Sequence, residues 1–294
     1  MPAALLPTTP AAPDAMKVYV ISLRRATERR RYIETHLTAL GLDYEIVDAT
    51  DYQDLTPADF ATLVDQQAAA ANPYLTKGVQ ACALSHAKVC ERVAAGPDRV
   101  ALVLEDDAAL PANIKATLAL LEKESTDDEV ISLSYYTHFH DGIELSRQGA
   151  TKLADGSSLY YPANLSDVGS AMAYVLPRAV AARLPAVAVP VRVAADYWGD
   201  HYRNGAFRSF RCLHPIPAQP ATFRSTLDYT ATRQSLWQQT LTRLAGAAAI
   251  VVRKTRFPGL FQYLEKRDQQ RLDKKYLLRF VDAAPFNTAG GVQD

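Results

Sequence analysis

Cysteine is scarce in this chain. Three among 294 residues, Cys82, Cys90 and Cys212, odd in number and without close-spaced pairs, argue against a disulfide scaffold and against a multi-cysteine zinc cluster. A reducing, cytoplasmic setting fits that count. Long apolar runs are missing too: none approaches the roughly 18 residues that a membrane-spanning helix needs. Net charge is absent, with 32 Lys and Arg against 32 Asp and Glu, so the whole molecule has no bias toward nucleic acid. There is no internal repeat. The first fifteen residues hold neither a basic start nor a long apolar core, which excludes a secretion signal. They read as a disordered leader, with Met16 as an alternative start.

What is present begins with Val100-Ala101-Leu102-Val103-Leu104-Glu105-Asp106-Asp107. Five apolar residues run directly into three carboxylates. A run with no polar positions at helical spacing reads as a strand buried on both faces. The acids then stand at its carboxyl end, where open α/β sheets bind ligands. Adjacent acids repel and need something positive, and a divalent cation carrying a phosphate ester suits carboxylate oxygens. A solvated acidic turn is the competing reading.

Around this segment the elements alternate. Lys17 to Leu23 is an expected strand, residues 26–40 a basic amphipathic helix with Tyr32, Ile33, Leu37 and Leu40 as its stripe and Gly41 as its end, and Tyr44 to Val47 a second strand. Residues 56–72 read as an exposed helix. Residues 79–94 read as another, with Cys82 and Cys90 as small buried hydrophobes. Strands are expected at 129–135, 159–161, 172–176 and 207–213, helices at 112–124 and 177–184, and a polar loop or hairpin at 138–158. This order predicts an α/β fold with a mostly parallel central sheet flanked by helices. The expected organisation is one main domain over 16–235, divided into halves at 16–135 and 136–235, followed by a helical basic extension over 236–294.

Three segments carry the chemistry. Ile21-Ser22-Leu23-Arg24-Arg25 leads through Glu28 and Arg29 into a helix, where a basic N-terminus suits phosphate. Arg25 and Arg29 are the candidates, while Arg30 and Arg31 read as a solvated face. Next comes Gly78-Val79-Gln80-Ala81-Cys82-Ala83-Leu84-Ser85-His86, and last Leu104-Glu105-Asp106-Asp107. In this order and spacing they resemble the bacterial lipooligosaccharide galactosyltransferases of glycosyltransferase family 25. Gly169 to Tyr174 is similar to a later family segment, and Pro190-Val191 with Asp196 to a Pro-Val-Asp element, although Arg192 to Ala195 intervene here. The resemblance covers residues 16–225.

The resemblance implies a GT-A fold, a UDP-galactose donor, an Mn2+ or Mg2+ ion, a glycan or glycolipid acceptor on a growing lipooligosaccharide, and inversion at the anomeric carbon. On that basis Asp107 is the expected metal ligand, with His214 as a late second one. Glu105 or Asp106 would hold the ribose or complete the metal shell through water. Ser22, Leu23, Arg25, Arg29, Ser85 and His86 belong to the donor side. Asp48 contacts uracil or merely caps a turn. Inversion needs one general base, for which Asp196 is the candidate and Asp200 and Asp167 the reserves. Gly169, Tyr197 and Trp198 belong to the acceptor side, the two aromatics stacking on a sugar face or packing in the core. UDP-glucose or a UDP-N-acetylhexosamine on the same scaffold, or a non-catalytic nucleotide-sugar-binding module, are the alternatives. A phosphohydrolase would need a nucleophilic Asp at the first strand, which ends instead in Ser22 and arginines.

Residues 240–294 carry ten Lys and Arg against five Asp and Glu, interleaved with Phe257, Leu260, Phe261, Tyr263 and Leu264. That pattern suits a peripheral helix on an anionic membrane surface, the inner face of a bacterial inner membrane in this case. A helical pair packed on the catalytic domain is the competing expectation.

Overall fold

A computed structural model describes residues 16–137, 142–221, 223 and 277–287. The leader at 1–15 and the basic segment at 224–276 lie outside the described residues, and with them the expected membrane contact.

In chain order the first half runs β1 (Val18–Ser22), α1 (Thr27–Ala39), β2 (Tyr44–Asp48), α2 (Pro57–Leu63), α3 (Gln66–Ala71), α4 (Lys77–Ala95), β3 (Val100–Glu105), β4 (Ala108–Ala109), α5 (Ile114–Glu124) and β5 (Glu129–Ser132). The second runs β6 (Tyr136–Thr137), β7 (Ile143–Lys152), β8 (Ser158–Pro162), β9 (Val168–Gly169), β10 (Ala173–Pro177), α6 (Arg178–Ala188), α7 (Trp198–Arg203), β11 (Ser209–His214), β12 (Gln219–Pro220) and β13 (Leu278–Val281).

Among the described residues, nine strands form one sheet in the order β13-β7-β8-β11-β5-β10-β3-β1-β2. Seven run the same way; only β10 and β8 oppose them. The expected α/β architecture with a mostly parallel sheet is therefore present. Alternation along the strands feeds two cores. Val18, Val20, Leu102 and Leu104 face Ile33 and Leu37 of α1 and Ile114, Leu118 and Leu121 of α5. Tyr19, Ile21, Ala101 and Val103 face Val89, Cys90 and Val93 of α4 and Val180 and Leu184 of α6. Both faces of β3 are covered, which is why its sequence is continuously apolar.

Local signals set the boundaries. Gly41, at φ 64°, ends α1: its N–H donates to Thr38 and that of Leu42 to Leu37, the paired bonds of a left-handed helix stop. Thr76 caps α4, and Thr56 with Asp59 forms a capping box on α2. Residues 56–72 make two short helices rather than one, because Val64 is drawn inward to bridge Val191. The expected hairpin at 138–158 appears as β7 and β8, with a register shift between Ser146 and Thr151. The strand from Glu129 stops at Ser132, while α6 runs past Pro185 to Ala188. The described end of the C-terminal segment departs from expectation. Residues 278–281 alternate outward and inward as β13, adding to the sheet beside β7 rather than forming a helix. No helix among the described residues is long and apolar enough to cross a membrane.

Candidate active site

The parallel order β2-β1-β3 brings the carboxyl ends of β1 and β3 side by side, with Ile21 level with Glu105. Helix α4 crosses above them. An open cleft with about 690 Å³ of empty space forms there, and all three chemical segments line it: Leu23, Arg25 and Arg29 after β1, Gly78, Cys82, Ser85 and His86 on α4, and Glu105, Asp106 and Asp107 after β3. Residues 49–52 complete the wall. They follow β2 and carry no pattern that the sequence would have revealed.

The acids are held by one arginine. Arg29 reaches Asp106 at 2.5 Å and Asp107 at 2.9 Å. The Ser22 hydroxyl donates to the other oxygen of Asp106 at 2.8 Å. Ser22 and Arg29 were expected on the donor side; both bond to the acids, Ser22 is buried, and Arg29 also lines the cleft. Among the described residues, three carboxylates against one guanidinium leave an excess of two negative charges. Burial is the main force raising the Asp106 carboxyl above its ordinary range, opposed by Arg29 and Ser22. Burial also raises Asp107, from 3.8 to about 6, with Glu105 adding to it and Arg29 opposing. Oδ1 of Asp107 is buried and accepts no hydrogen bond from the described residues. A divalent cation matches both the charge excess and that unused oxygen, so the residues fit the metal implied by the motif.

On α4, Ser85 donates to Ala81 and accepts the Thr50 N–H at 2.9 Å, fixing the 49–52 wall onto the helix. His86 sits between Tyr174 OH, 3.0 Å from Nδ1, and Glu105, 3.4 Å from Nε2. Arg25 pairs with Asp51, which holds that carboxyl below its ordinary range. Cys90 is fully buried as expected, but Cys82 lines the cleft.

Other expected positions fall elsewhere. Asp48 does not line the cleft: Arg30 at 2.6 Å and Arg24 at 2.8 Å hold it, chiefly Arg30 lowering its pKa, so the turn reading applies. Arg30 is thus a partly buried brace between Asp48 and the Ser22 carbonyl, not a solvated face. His214 ends β11, three strands from β3, a lateral distance of roughly 14 Å at ordinary strand spacing. It packs edge-on against Tyr160 and Phe280 and does not join the acids. Trp198 is 2% exposed, donates to the Ser170 carbonyl at 3.0 Å and packs against Tyr174 and Phe210. It offers no face to a sugar; an indole this apolar at the start of a helix is a core anchor.

Asp196 stands on the approach to α7. Its Oδ2 accepts the Ser170 N–H at 2.9 Å and lies 3.4 Å from the Tyr136 hydroxyl. Ser170 holds φ 86°, a left-handed conformation costly for any residue but glycine, and this turns its N–H to the carboxylate. Gly169 precedes it in β9, paired with Tyr136. Asp196, Tyr197 and Gly169 are not among the residues that line the cleft; the Cys82 thiol within it is pushed far up by burial and then by Glu105, Asp196 and Asp107. Tyr197 is half-buried beside Asp200 and the largely exposed Tyr74. Tyr136, Ser170 and Tyr74 escaped sequence reading, since an isolated Tyr or Ser carries no pattern.

Comparison with known proteins agrees with this geometry. The family described as "Glycosyltransferase family 25 (LPS biosynthesis protein)" matches residues 15–198. "Probable inactive glycosyltransferase 25 family member 3" of Bos taurus is 34% identical over 123 residues, 40% of this chain and 21% of that protein. "Putative glycosyltransferase R655" of Acanthamoeba polyphaga mimivirus is 31% identical over 136 residues, 46% of this chain and 41% of the other. A "Glycosyltransferase 25 family member" of Aedes aegypti is 28% identical over 171 residues, 48% and 28% of the two chains. The matches span between about a fifth and two fifths of these relatives' length.

Proposed function

This chain belongs to glycosyltransferase family 25, and from that premise we propose that it is an inverting, metal-assisted glycosyltransferase moving galactose from UDP-galactose to a hydroxyl of a lipooligosaccharide or lipopolysaccharide glycan. The observation that carries the proposal is the meeting of all three motifs in one cleft, with two uncompensated negative charges and an unused Asp107 oxygen at its base. Galactose and the bacterial acceptor follow from the motif resemblance.

In this reading Asp107 holds the Mn2+ or Mg2+ ion, and Glu105 completes its shell or meets the ribose. The bound ion supplies positive charge to the departing diphosphate. Asp106, locked by Ser22 and Arg29, sets the acidic turn. Leu23, Arg25 and residues 49–52 form the wall for the nucleoside, in place of Asp48. Arg25 and Arg29 lend cationic field to the diphosphate, and Ser85 and His86 shape the side under α4. Asp196 takes the proton of the attacking acceptor hydroxyl, and Tyr197 gives the acceptor an apolar ring. Docking to an anionic membrane on the cytoplasmic side would rest on the basic residues of 240–294, most of which lie outside the described residues.

A panel of UDP-sugars with manganese, scored by UDP release with and without β-glucosyl or N-acetylglucosaminyl acceptors, tests the reading. Acceptor-dependent release from UDP-galactose is expected; preference for UDP-glucose or a UDP-N-acetylhexosamine would replace the donor. Asp196→Asn should bind donor yet lose about two to four decades of turnover, and a wild-type rate would place the base elsewhere. A second reading, a nucleotide-sugar-binding module without turnover, draws on the bovine relative named as inactive. Donor binding without acceptor-dependent UDP release would select it.

A further inference from the structure

We propose that Cys82, His86 and Glu105 form a binding site for a zinc-class cation, which shares Glu105 with the all-carboxylate site at Asp107 but differs from it in ligand chemistry. One sulfur, one imidazole nitrogen and one carboxylate oxygen lie within 4.8 Å of one another. Ligand atoms on one tetrahedral zinc stand about 3.5 Å apart, so side-chain rotation of roughly 1 Å closes the set.

The fold places these ligands independently. Cys82 and His86 are four residues apart on α4 and share one face. Glu105 arrives from the end of β3. Tyr174 OH, 3.0 Å from Nδ1 of His86, fixes the ring so that Nε2 faces Glu105 at 3.4 Å. A histidine whose far nitrogen is tied to an outer partner is the usual arrangement at metal sites. All three residues line the open cleft.

The mixed sulfur, nitrogen and oxygen set selects zinc or cobalt over manganese or magnesium, which favour oxygen alone. Coordination forms a metal–sulfur bond and sends the thiol proton to solvent. The resulting thiolate and Glu105 then balance the two charges of the ion. Three protein ligands leave a fourth position open to the cleft.

Cobalt(II) added to the full chain tests the site without reference to transfer. Expected are a thiolate-to-cobalt charge-transfer band and tetrahedral visible bands that saturate at one equivalent. Zinc should displace the ion, and excess manganese should not. Cys90 and Cys212 are fully buried, so the charge-transfer band should vanish in Cys82→Ser. Glu105→Gln, which leaves the α4 packing untouched, should weaken cobalt binding. Tyr174→Phe, acting through the ring of His86, should weaken it about ten- to a hundredfold. No charge-transfer band, its survival in Cys82→Ser, or displacement by manganese would overturn the proposal. These readouts report cobalt binding and the transferase reading rests on UDP release, so either can fail without the other.

Discussion

Two buried arginine–carboxylate clusters stand in the same sheet, and they are built to opposite ends. Between β5 and β11, Arg211 grips Glu129 with Nε at 2.8 Å and NH2 at 2.5 Å, and the Ser209 hydroxyl donates to the same carboxylate. Both partners are almost wholly buried, and the charges cancel. Beyond β1 and β3, one Arg29 serves Asp106 and Asp107 while Glu105 adds a third negative charge. The first cluster is closed and satisfied. The second retains negative charge, an oxygen without a hydrogen bond and an open face. An imbalance of this kind costs stability when nothing is bound, so it marks where a ligand is expected.

That contrast can be broken from either side. The largest effect should come from Asp107→Ala: UDP release falls by about three decades or more, while the thermal melt holds or rises. Loss of both together would make Asp107 a structural acid like Glu129. Glu129→Ala should do the reverse, costing about 3–5 kcal/mol because Arg211 is left buried and unpaired. Urea unfolding would measure that cost, and turnover per folded molecule should stay near wild type.

A pH series sharpens the comparison. The Asp107 carboxyl is raised from 3.8 to about 6, so between those values the folded chain holds a proton that the unfolded chain has released. Stability from this group is therefore greatest below about pH 4 and declines as pH rises through about 6, by on the order of 3 kcal/mol. Asp107→Asn, neutral throughout, should be the more stable chain at pH 8 and match wild type at pH 4. Unfolding curves at the two pH values decide it. Metal-dependent transfer should fall as pH drops below about 6, where the carboxylate is lost. The smallest effect is expected from Tyr136→Phe, a few-fold loss of turnover with unchanged donor KM, since the Ser170 N–H still holds Asp196. A KM change instead would move Tyr136 to the donor side.

Sequence alone carried the first half far. The buried run of β3, the stripe of α1 and the stop at Gly41 are local signals, and the motif order located the cleft. It placed Arg29 in the cleft but not on Asp106, because the pairing of Arg29 with Asp106 joins the ends of two parallel strands far apart in sequence and leaves no local trace. His214 failed because sequence order says nothing about how many strands lie between two residues. Trp198 failed because an aromatic beside an acid looks alike whether it faces sugar or core. Strand β13 escaped because its partner β7 lies more than a hundred residues earlier, and alternation over four residues is a weak signal.

The short ladder of β12 on β4 bears on the order in which the molecule can be completed. The Ala221 N–H donates to the carbonyl of Asp107 at 2.7 Å, and Phe223 sets its ring against Tyr32. A nascent chain can assemble β1, α1 and β3, with Arg29 on its acids, soon after residue 107 leaves the ribosome. The backbone of the acidic turn gains this last tie only once more than a hundred further residues have been made. Glu105 is tied earlier, by its N–H to the Met172 carbonyl at 2.8 Å, so the acidic turn is fastened in two stages as the second half is synthesised.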